Sequence, residues 1–480
     1  MTIRRCFRTL LLCLTLLTLL SGAALAGGEN APFAAVIQVP GLGEVEISPQ
    51  STQSGEVLCL PSAAQPEALV LRFPGESALL TGARGSLQVE SGVPFSLLPL
   101  LEENGRECRL TFERGETRVS FTLLRSPSLG SAYLASGDPE QGRSYVDGDK
   151  SRKAKGVSFA LLRPDGSPVW AGELKNIKSR GNSTWSYPKK PYQIKLSEKA
   201  DLLETGIPAE RESTWILLAN YVDDSLLRNQ FTFDLAAELG LPYIPHSASV
   251  DLYYDGEYRG VYLLCEKTEI SKGRVALHDL EGDIEDANPD IPDMADLSGA
   301  ELALSGGLTC RCYPELADPE DVRGGYLLEM DFENRAREEA SWFRTENGQY
   351  IAVKSPEYVP EAAMGYIADL YQRFERAVFA GGTDPVTGQD YRELCDLDSL
   401  ARCLLLLELS QDNDACFSST FFYKPLEEDK LYAGPVWDFD TGYGKAALPE
   451  ELSVLESCRL GTAFCASPPS GWRCAAAGRS

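Results

Sequence analysis

Two close pairs of aspartates lie among largely apolar and aromatic neighbours in residues 410–444. Asp412 and Asp414 form one pair, and Asp438 and Asp440 form a second pair further along the chain. Carboxylates embedded in apolar sequence are costly to bury unless hydrogen bonds or a cation compensate them. The fold therefore has to bring these acids to a polar site. Our first hypothesis is that they bind a divalent metal ion and activate a hydroxyl group.

The order of elements around these acids is typical of one class of enzyme. A very apolar helix is predicted over residues 400–409, with Asp398 as its cap, and a strand is predicted over residues 420–424. A polar turn, a second short strand at 435–437, the second acid pair and a glycine-rich stretch follow. Protein kinases place a hydroxyl-orienting aspartate and a magnesium-binding aspartate in the same order. Neither HRD nor DFG occurs, so the pattern alone leaves the function open.

The N-terminus has the features of a secretory signal peptide. Arginines precede an apolar core at residues 10–20, and Ala-Leu-Ala at residues 24–26 is a cleavage signature. We expect residues 1–26 to be removed and the protein to be secreted or associated with the cell envelope. No later stretch approaches the length of a membrane span, so no transmembrane segment is predicted in the mature chain.

Composition excludes several other functions. A formal charge of -26 argues against a nucleic-acid partner, which requires a basic surface. The chain has two histidines, so a serine–histidine triad or a histidine-built zinc site is not expected. Thirteen cysteines suit an exported protein, but only Cys59 and Cys108 look like a plausible disulfide. Cys310 and Cys312 are too close in sequence for the usual zinc spacing.

The chain divides into predicted domains by its periodicity. Short alternating runs separated by turn residues predict a small, all-β, sandwich-like module over residues 30–128. An α+β domain is predicted over residues 130–456, with a solvated acidic insertion at 279–321. Residues 457–480 differ in composition from the rest and have the character of a frameshifted or truncated end.

Several charged residues of the second domain have two interpretations. Arg180, with the polar residues 181–184, could bind a phosphate, or it could belong to a solvated turn. Lys195 lies in an alternating strand and could be an ordinary exposed lysine. Glu266 ends the second strand of a hairpin built on the turn Asp255-Gly256. A glutamate in that position is often only a salt-bridge partner.

Seven segments of the chain, in the order in which they occur, resemble the spore-coat protein H (CotH) kinase family of secreted atypical protein kinases. The resemblance covers roughly residues 130–444, and RGNSTW with WDFDTGYG is the most specific combination. The segments are RGNSTW (180–185), PKKPYQIKL (188–196), WILLANYVDDSLLRN (215–229), YDGEYRGVYLLCEK (254–267), GGYLLEMD (324–331), DNDACFSSTFFYK (412–424) and GPVWDFDTGYG (434–444).

The resemblance implies an atypical protein-kinase-like fold that uses ATP with Mg²⁺ or Mn²⁺ to phosphorylate serine or threonine of proteins. The implied acid that activates the acceptor hydroxyl is Asp414, and the implied metal ligands are Asp438 and Asp440. Four further residues are implied at the nucleotide or its phosphates: Arg180, Lys195, Arg228 and Glu266. Asp412 is expected to contact the residues of the site and not the metal ion or the substrate.

The sequence departs from the kinase pattern at two places. Ser419 stands where a kinase catalytic loop has its metal-binding asparagine, so Asp440 is the candidate for the second metal position. The chain also ends sooner after the WDFD motif than the resemblance implies, which makes an inactive product an open alternative.

Two other functions stay open from the sequence. A surface-binding or adhesion protein that keeps the fold without the chemistry fits the acidic charge and the N-terminal module equally well. A glycosidase with a carboxylate pair requires a defined separation of its two acids, which sequence spacing does not give. The cationic motif at 180–195 disfavours it, because glycoside cleavage has no use for phosphate partners.

Overall fold

The computed structural model describes residues 31–102, 106–207, 211–412, 414 and 418–444. The predicted signal peptide and the atypical tail at 457–480 lie outside these residues. The described chain is a mixed α+β protein in which strands predominate, which confirms the predicted α+β class. None of its described helices is long and apolar enough to cross a membrane.

The strands follow one another along the chain with few helices between them. The first nine are β1 Ala34–Val39, β2 Gly43–Ile47, β3 Gln50–Thr52, β4 Gly55–Leu60, β5 Val70–Arg72, β6 Ser77–Gly82, β7 Gly85–Glu90, β8 Glu107–Arg114 and β9 Thr117–Arg125. The next seven are β10 Gly130–Ser136, β11 Val157–Leu162, β12 Pro168–Ser179, β13 Tyr192–Ala200, β14 Glu212–Leu218, β15 Ser247–Tyr254 and β16 Glu257–Glu266. The remaining strands are β17 Ala300–Ala303, β18 Thr309–Cys312, β19 Tyr326–Asp331, β20 Ser341–Arg344, β21 Tyr350–Ser355, β22 Thr420–Lys424 and β23 Tyr432–Ala433.

The described α-helices are short, apart from two in the second half of the chain. They are α1 Arg143–Gly148, α2 Arg228–Glu238, α3 Leu280–Ala287, α4 Glu333–Ala336, α5 Glu361–Phe379, α6 Tyr391–Leu394 and α7 Leu397–Ser410. The structure divides into two compact units. Unit 1 contains the described residues up to Tyr145 together with Ala154–Leu174 and Val250–Gly260, and unit 2 contains the others.

Unit 1 contains a three-stranded sheet in the order β2-β1-β5 and a six-stranded sheet in the order β3-β4-β9-β8-β6-β7. Alternation makes these strands two-faced: in β8, Cys108, Leu110 and Phe112 are buried while the residues between them are more exposed. Aromatic rings fill the core, with Phe33 stacked on Phe112 at 4.6 Å between ring centroids. The limits 30–128 of the N-terminal module stay a prediction.

The expected disulfide between Cys59 and Cys108 is wrong, since both thiols are free. The strand order explains why. Cys59 on β4 is paired in register with Leu124, and Cys108 on β8 with Leu123, so β9 lies between the two cysteines. Two strand spacings place their Cα atoms about 10 Å apart, beyond the reach of a disulfide.

Unit 2 is organised around a seven-stranded sheet in the order β17-β18-β20-β21-β19-β22-β23. Helix α5 packs its apolar side onto this sheet, where Tyr371 and Phe374 contact Phe422 of β22 at 5.7 and 6.0 Å between centroids. In the N-terminal part of unit 2, β13 pairs with β14, and β14 pairs with the end of β16. This sheet and its helices bury the largest apolar core of the described chain.

Local predictions near the site were partly right. The hairpin on Asp255-Gly256 is confirmed, and both turn residues have positive φ, as this turn type requires. The cap of α7 is Asp396, not Asp398, because the Asp396 carboxylate accepts the Ser399 N–H at 2.8 Å. The acidic segment 279–321 is not wholly solvated: Leu280 and Ile284 of α3 are buried in the core of unit 2.

Candidate active site

A cavity of about 320 Å³ in unit 2 brings together four of the predicted site residues. Asp414, Asp438 and Asp440 come from the largely apolar segment 410–444, and Arg180 comes from the loop after β12. The cavity is therefore lined by carboxylates and a guanidinium that are far apart in sequence. This convergence is the central feature of the site.

Helix α2 holds the loop that carries Asp438 and Asp440. The side-chain oxygen of Asn229, which is 1% exposed, accepts the backbone N–H of Phe439 at 2.7 Å. Phe233 of the same helix stacks on Trp437 at 6.0 Å between centroids. Asp438 has a positive φ of 69°, an uncommon conformation that these neighbours hold in place.

The acids of the site are crowded and buried. Burial raises the pKa of Asp440 to about 8, and the carboxylates of Asp438, Asp412 and Asp414 contribute to this rise. Burial also raises the pKa of Asp412 to about 7, although the Thr441 hydroxyl, which donates to Asp412 at 2.9 Å, opposes this. For Asp438 burial raises the pKa, and the positive charge of Arg180 opposes it. Such a group of acids favours a bound cation.

The donor chemistry fits Mg²⁺ when the ion brings other ligands with it. Among the described residues no ready-made group of three or more histidine, cysteine or carboxylate side chains would hold an ion alone. Mg²⁺ in phosphate-binding proteins is held by one or two carboxylates, with phosphate oxygens and water completing the octahedron. Asp438 and Asp440 supply carboxylate oxygens of that kind at the cavity wall.

Asp414 is half-buried and lies in the turn between α7 and β22. Its carbonyl oxygen accepts the Ser418 N–H at 3.0 Å. Nearby, the Ser419 hydroxyl donates to the Asp438 carboxylate at 3.4 Å, so this serine contacts an implied metal ligand. Asp414 thus presents an acid to the same cavity as the implied metal ligands.

Arg180 is positioned by its loop and by an aromatic ring. Its guanidinium lies 5.5 Å from the centre of the Trp437 ring, and its backbone N–H donates to the Pro191 carbonyl at 3.0 Å. Gly181 follows with φ +88°, and a Cβ there would collide with the Thr184 hydroxyl. The glycine therefore permits the tight loop that points Arg180 into the cavity.

Three other predicted residues lie elsewhere, and their roles stay predictions. Lys195 is not among the cavity-lining residues in the described chain. The guanidinium of Arg228 is paired with Asp223, which also accepts the Arg228 N–H at 2.8 Å. Glu266 accepts the His246 N–H at 2.8 Å and lines a separate cavity with that histidine.

The structure adds lining residues that were not predicted from the sequence. On β19 and β21, Glu329 and Lys354 form an ion pair at 3.4 Å. Burial raises the pKa of Glu329, and the Lys354 ammonium opposes it. Asp331 pairs with Arg335 at 3.4 Å, and Arg335 also donates to Ser418 at 2.7 Å. The signal was present in GGYLLEMD, where two acids alternate with apolar residues in a buried strand.

Lys178 is another lining residue that was not predicted from the sequence. It lies two residues before Arg180 near the end of β12, and side chains two apart in a strand point to the same face. The motif Lys-Ser-Arg contained this spacing.

A sequence model of the family described as CotH kinase protein matches residues 177–451. The match begins one residue before Lys178 and includes every acid that lines the cavity. No curated protein matches the chain.

Proposed function

The chain belongs to the CotH kinase family, and on that premise we propose that it transfers the γ-phosphate of ATP to serine or threonine of extracellular or cell-envelope proteins. The observation that carries the proposal is the convergence of Asp414, Asp438, Asp440 and Arg180 on one cavity. The predicted signal peptide supports a site of action outside the cytoplasm. An atypical protein-kinase-like fold for unit 2, preceded by a β-sandwich-like module, is part of the same proposal.

At the donor end, Asp438 and Asp440 would hold Mg²⁺ or Mn²⁺ through carboxylate oxygens. A metal ion bound there neutralises charge on the phosphates. Arg180 binds phosphate oxygens with a guanidinium that keeps its positive charge at any physiological pH. The Trp437 ring beneath it limits the orientations of that guanidinium.

At the acceptor end, Asp414 orients the hydroxyl of the acceptor residue and accepts its proton. The hydroxyl oxygen bonds to the γ-phosphorus, and the bond from that phosphorus to the β–γ bridging oxygen breaks. ADP leaves with the bonding electron pair. Catalysis of this kind depends on positioning and charge, so the rigid link from α2 to the Asp438 loop serves the reaction directly.

Binding and transfer assays with matched variants test this proposal. We expect the full chain to bind ATP in the presence of Mg²⁺ or Mn²⁺ and to label an acceptor protein. Asp438→Ala should lose metal-dependent binding, and Asp414→Asn should keep binding but lose transfer by a factor of about 100 or more. Asp398→Asn changes an aspartate with a 72% exposed side chain on α7 and should behave as the wild type.

The adhesion hypothesis makes the opposite prediction. A protein that keeps the fold but not the chemistry would not bind ATP with either metal ion, although it unfolds cooperatively. That result would overturn the kinase proposal and leave surface binding as the better function.

A further inference from the structure

Two cations of the cavity have no carboxylate partner in the described part of the chain, unlike the others. The remaining cations that line it each form an ion pair: Lys150 with Glu338 at 3.5 Å, Lys267 with Glu269 at 2.9 Å, Arg335 with Asp331 at 3.4 Å and Lys354 with Glu329 at 3.4 Å. Among the described residues, no carboxylate lies within ion-pair distance of Lys178 or Arg180. These two share one face of the chain where β12 runs into its loop.

The surroundings of Lys178 are positive. Burial lowers its pKa, and the charges of Lys153, Lys267, Arg180 and Lys150 lower it further. A partly buried ammonium on which like charges act most strongly is unfavourable unless an anion compensates it. Burial also lowers the pKa of Arg180, and the charges of Cys265, Asp438 and Glu329 oppose this without an ion-pair contact among the described residues.

We propose that Lys178 and Arg180 form a polyphosphate subsite that binds linked phosphates without a metal ion. This inference rests on the proposed function, because the linked phosphates would be those of the donor nucleotide. The chemistry it recognises is a chain of phosphate groups, whether free or attached to a nucleoside.

The distribution of charge explains why the metal ion is not required. Asp438 and Asp440 need a cation before they can meet a phosphate, since carboxylate and phosphate repel each other. Lys178 and Arg180 carry positive charge, so they can bind a phosphate directly, without a metal ion. The cavity thus has an acidic wall that depends on metal and a cationic wall that does not. A nucleotide can engage the cationic wall first and gain affinity when the ion joins the acids.

The probe is inorganic tripolyphosphate, titrated into the full chain by calorimetry in EDTA at low salt. We expect wild-type binding that weakens as salt rises, and Lys178→Ala should weaken it by about tenfold or more. Lys178→Arg should keep most of the affinity. Lys175→Ala is the matched control, because Lys175 is an exposed lysine on the same strand that does not line the cavity, and it should leave binding unchanged. Asp438→Ala should bind tripolyphosphate in EDTA at least as well as wild type.

Two results would overturn the subsite: no binding of tripolyphosphate without metal by the folded wild type, or equal binding by Lys178→Ala and wild type. Failure of the kinase proposal has a different signature. If tripolyphosphate binds and depends on Lys178 while no phosphate transfer from ATP occurs, the subsite stands and the catalytic function falls.

Discussion

The Asn229 side-chain oxygen accepts the Phe439 N–H at 2.7 Å, and so joins α2 to the backbone between Asp438 and Asp440. The Asn229 amide in turn donates to Asn220 at 3.1 Å. Both implied metal ligands are therefore positioned by one buried amide. The geometry of the acidic wall depends on a residue that carries no charge.

Replacing the Asn229 amide should weaken metal-dependent ATP binding more than it lowers the stability of the fold. Asn229→Ala leaves the Phe439 N–H without its partner, so we expect a loss of about 1–3 kcal/mol in the free energy of unfolding. Metal-dependent ATP affinity should fall by roughly tenfold or more because the Asp438 loop relaxes. Denaturant unfolding and calorimetric titration measure the two effects. Asp234→Ala, on the exposed side of the same helix, should change neither.

Ser419→Asn should strengthen metal binding. Ser419 has φ +54°, a conformation in which asparagine is favoured over serine, and its hydroxyl already contacts Asp438. An amide oxygen there offers a better ligand for Mg²⁺ than a hydroxyl. We expect several-fold tighter Mg²⁺-dependent ATP binding, and Ser419→Ala should not show it. An unchanged metal dependence in Ser419→Asn would place the second ligand elsewhere.

Gly181→Ala should disturb the loop by collision as well as by backbone strain. Gly206 has a comparable φ of +75°, but a Cβ added there would meet nothing within 4 Å, so Gly206→Ala measures the strain alone, about 1 kcal/mol. Gly181→Ala should cost more and should weaken tripolyphosphate binding. Adding Thr184→Ala should recover part of the loss, because it removes the hydroxyl that the new Cβ meets. Equal costs at the two glycines would contradict the collision.

Lys178 should make stability depend on pH below the ordinary pKa of a lysine. Its pKa is lower in the folded protein than in the unfolded chain, so between those two values the unfolded state binds more protons. The free energy of unfolding therefore rises with pH in that window, and below the folded pKa the penalty is constant. Lys178→Met removes the penalty and should be more stable than wild type at pH 7. The difference between the two, followed by denaturant unfolding, should shrink as the pH approaches about 10.

Asp384 should protect unit 2 against acid. Burial alone would raise its pKa, but Arg376 at 2.9 Å and the Thr387 hydroxyl at 2.7 Å outweigh it and lower the pKa to about 2. This stabilisation is fully present above the ordinary aspartate pKa and is lost as pH falls toward 2. Asp384→Asn should cost about 2 kcal/mol at pH 7.

The exposed pair of Asp369 and Arg373 is the control for that experiment. The Asp369 side chain is 57% exposed, so Asp369→Asn should cost less than about 0.5 kcal/mol. Equal costs for Asp384→Asn and Asp369→Asn would show that burial adds nothing to the Asp384 pair.

Sequence predicted those parts of the protein whose signals are local. The Asp255-Gly256 hairpin and the strand after Asp414 were found because turn chemistry and alternation act between neighbours. The acids at 412–440 were found because charge inside apolar sequence is rare. Arg180 was found from its loop, although its contact with Trp437 depends on the fold.

The features that could not be predicted from the sequence depend on the order of strands in a sheet and on the face of the sheet to which a side chain points. Cys59 and Cys108 could be excluded as a disulfide only once β9 was known to lie between them. Lys178 lies near the end of a strand, and the sequence did not show that its side chain lines the cavity. Glu329 needed Lys354 from β21 to show that it is a paired acid rather than a core defect.

The unpaired cations and crowded acids also bear on how long the empty protein survives. They make the cavity a part of unit 2 that a bound ligand stabilises. Any ligand that binds only the native state shifts the folding equilibrium toward that state. If the proposed function holds, the protein would open more often in surroundings poor in nucleotide and be cut by proteases sooner. The supply of ATP would then set the lifetime of the protein as well as the rate of the proposed reaction.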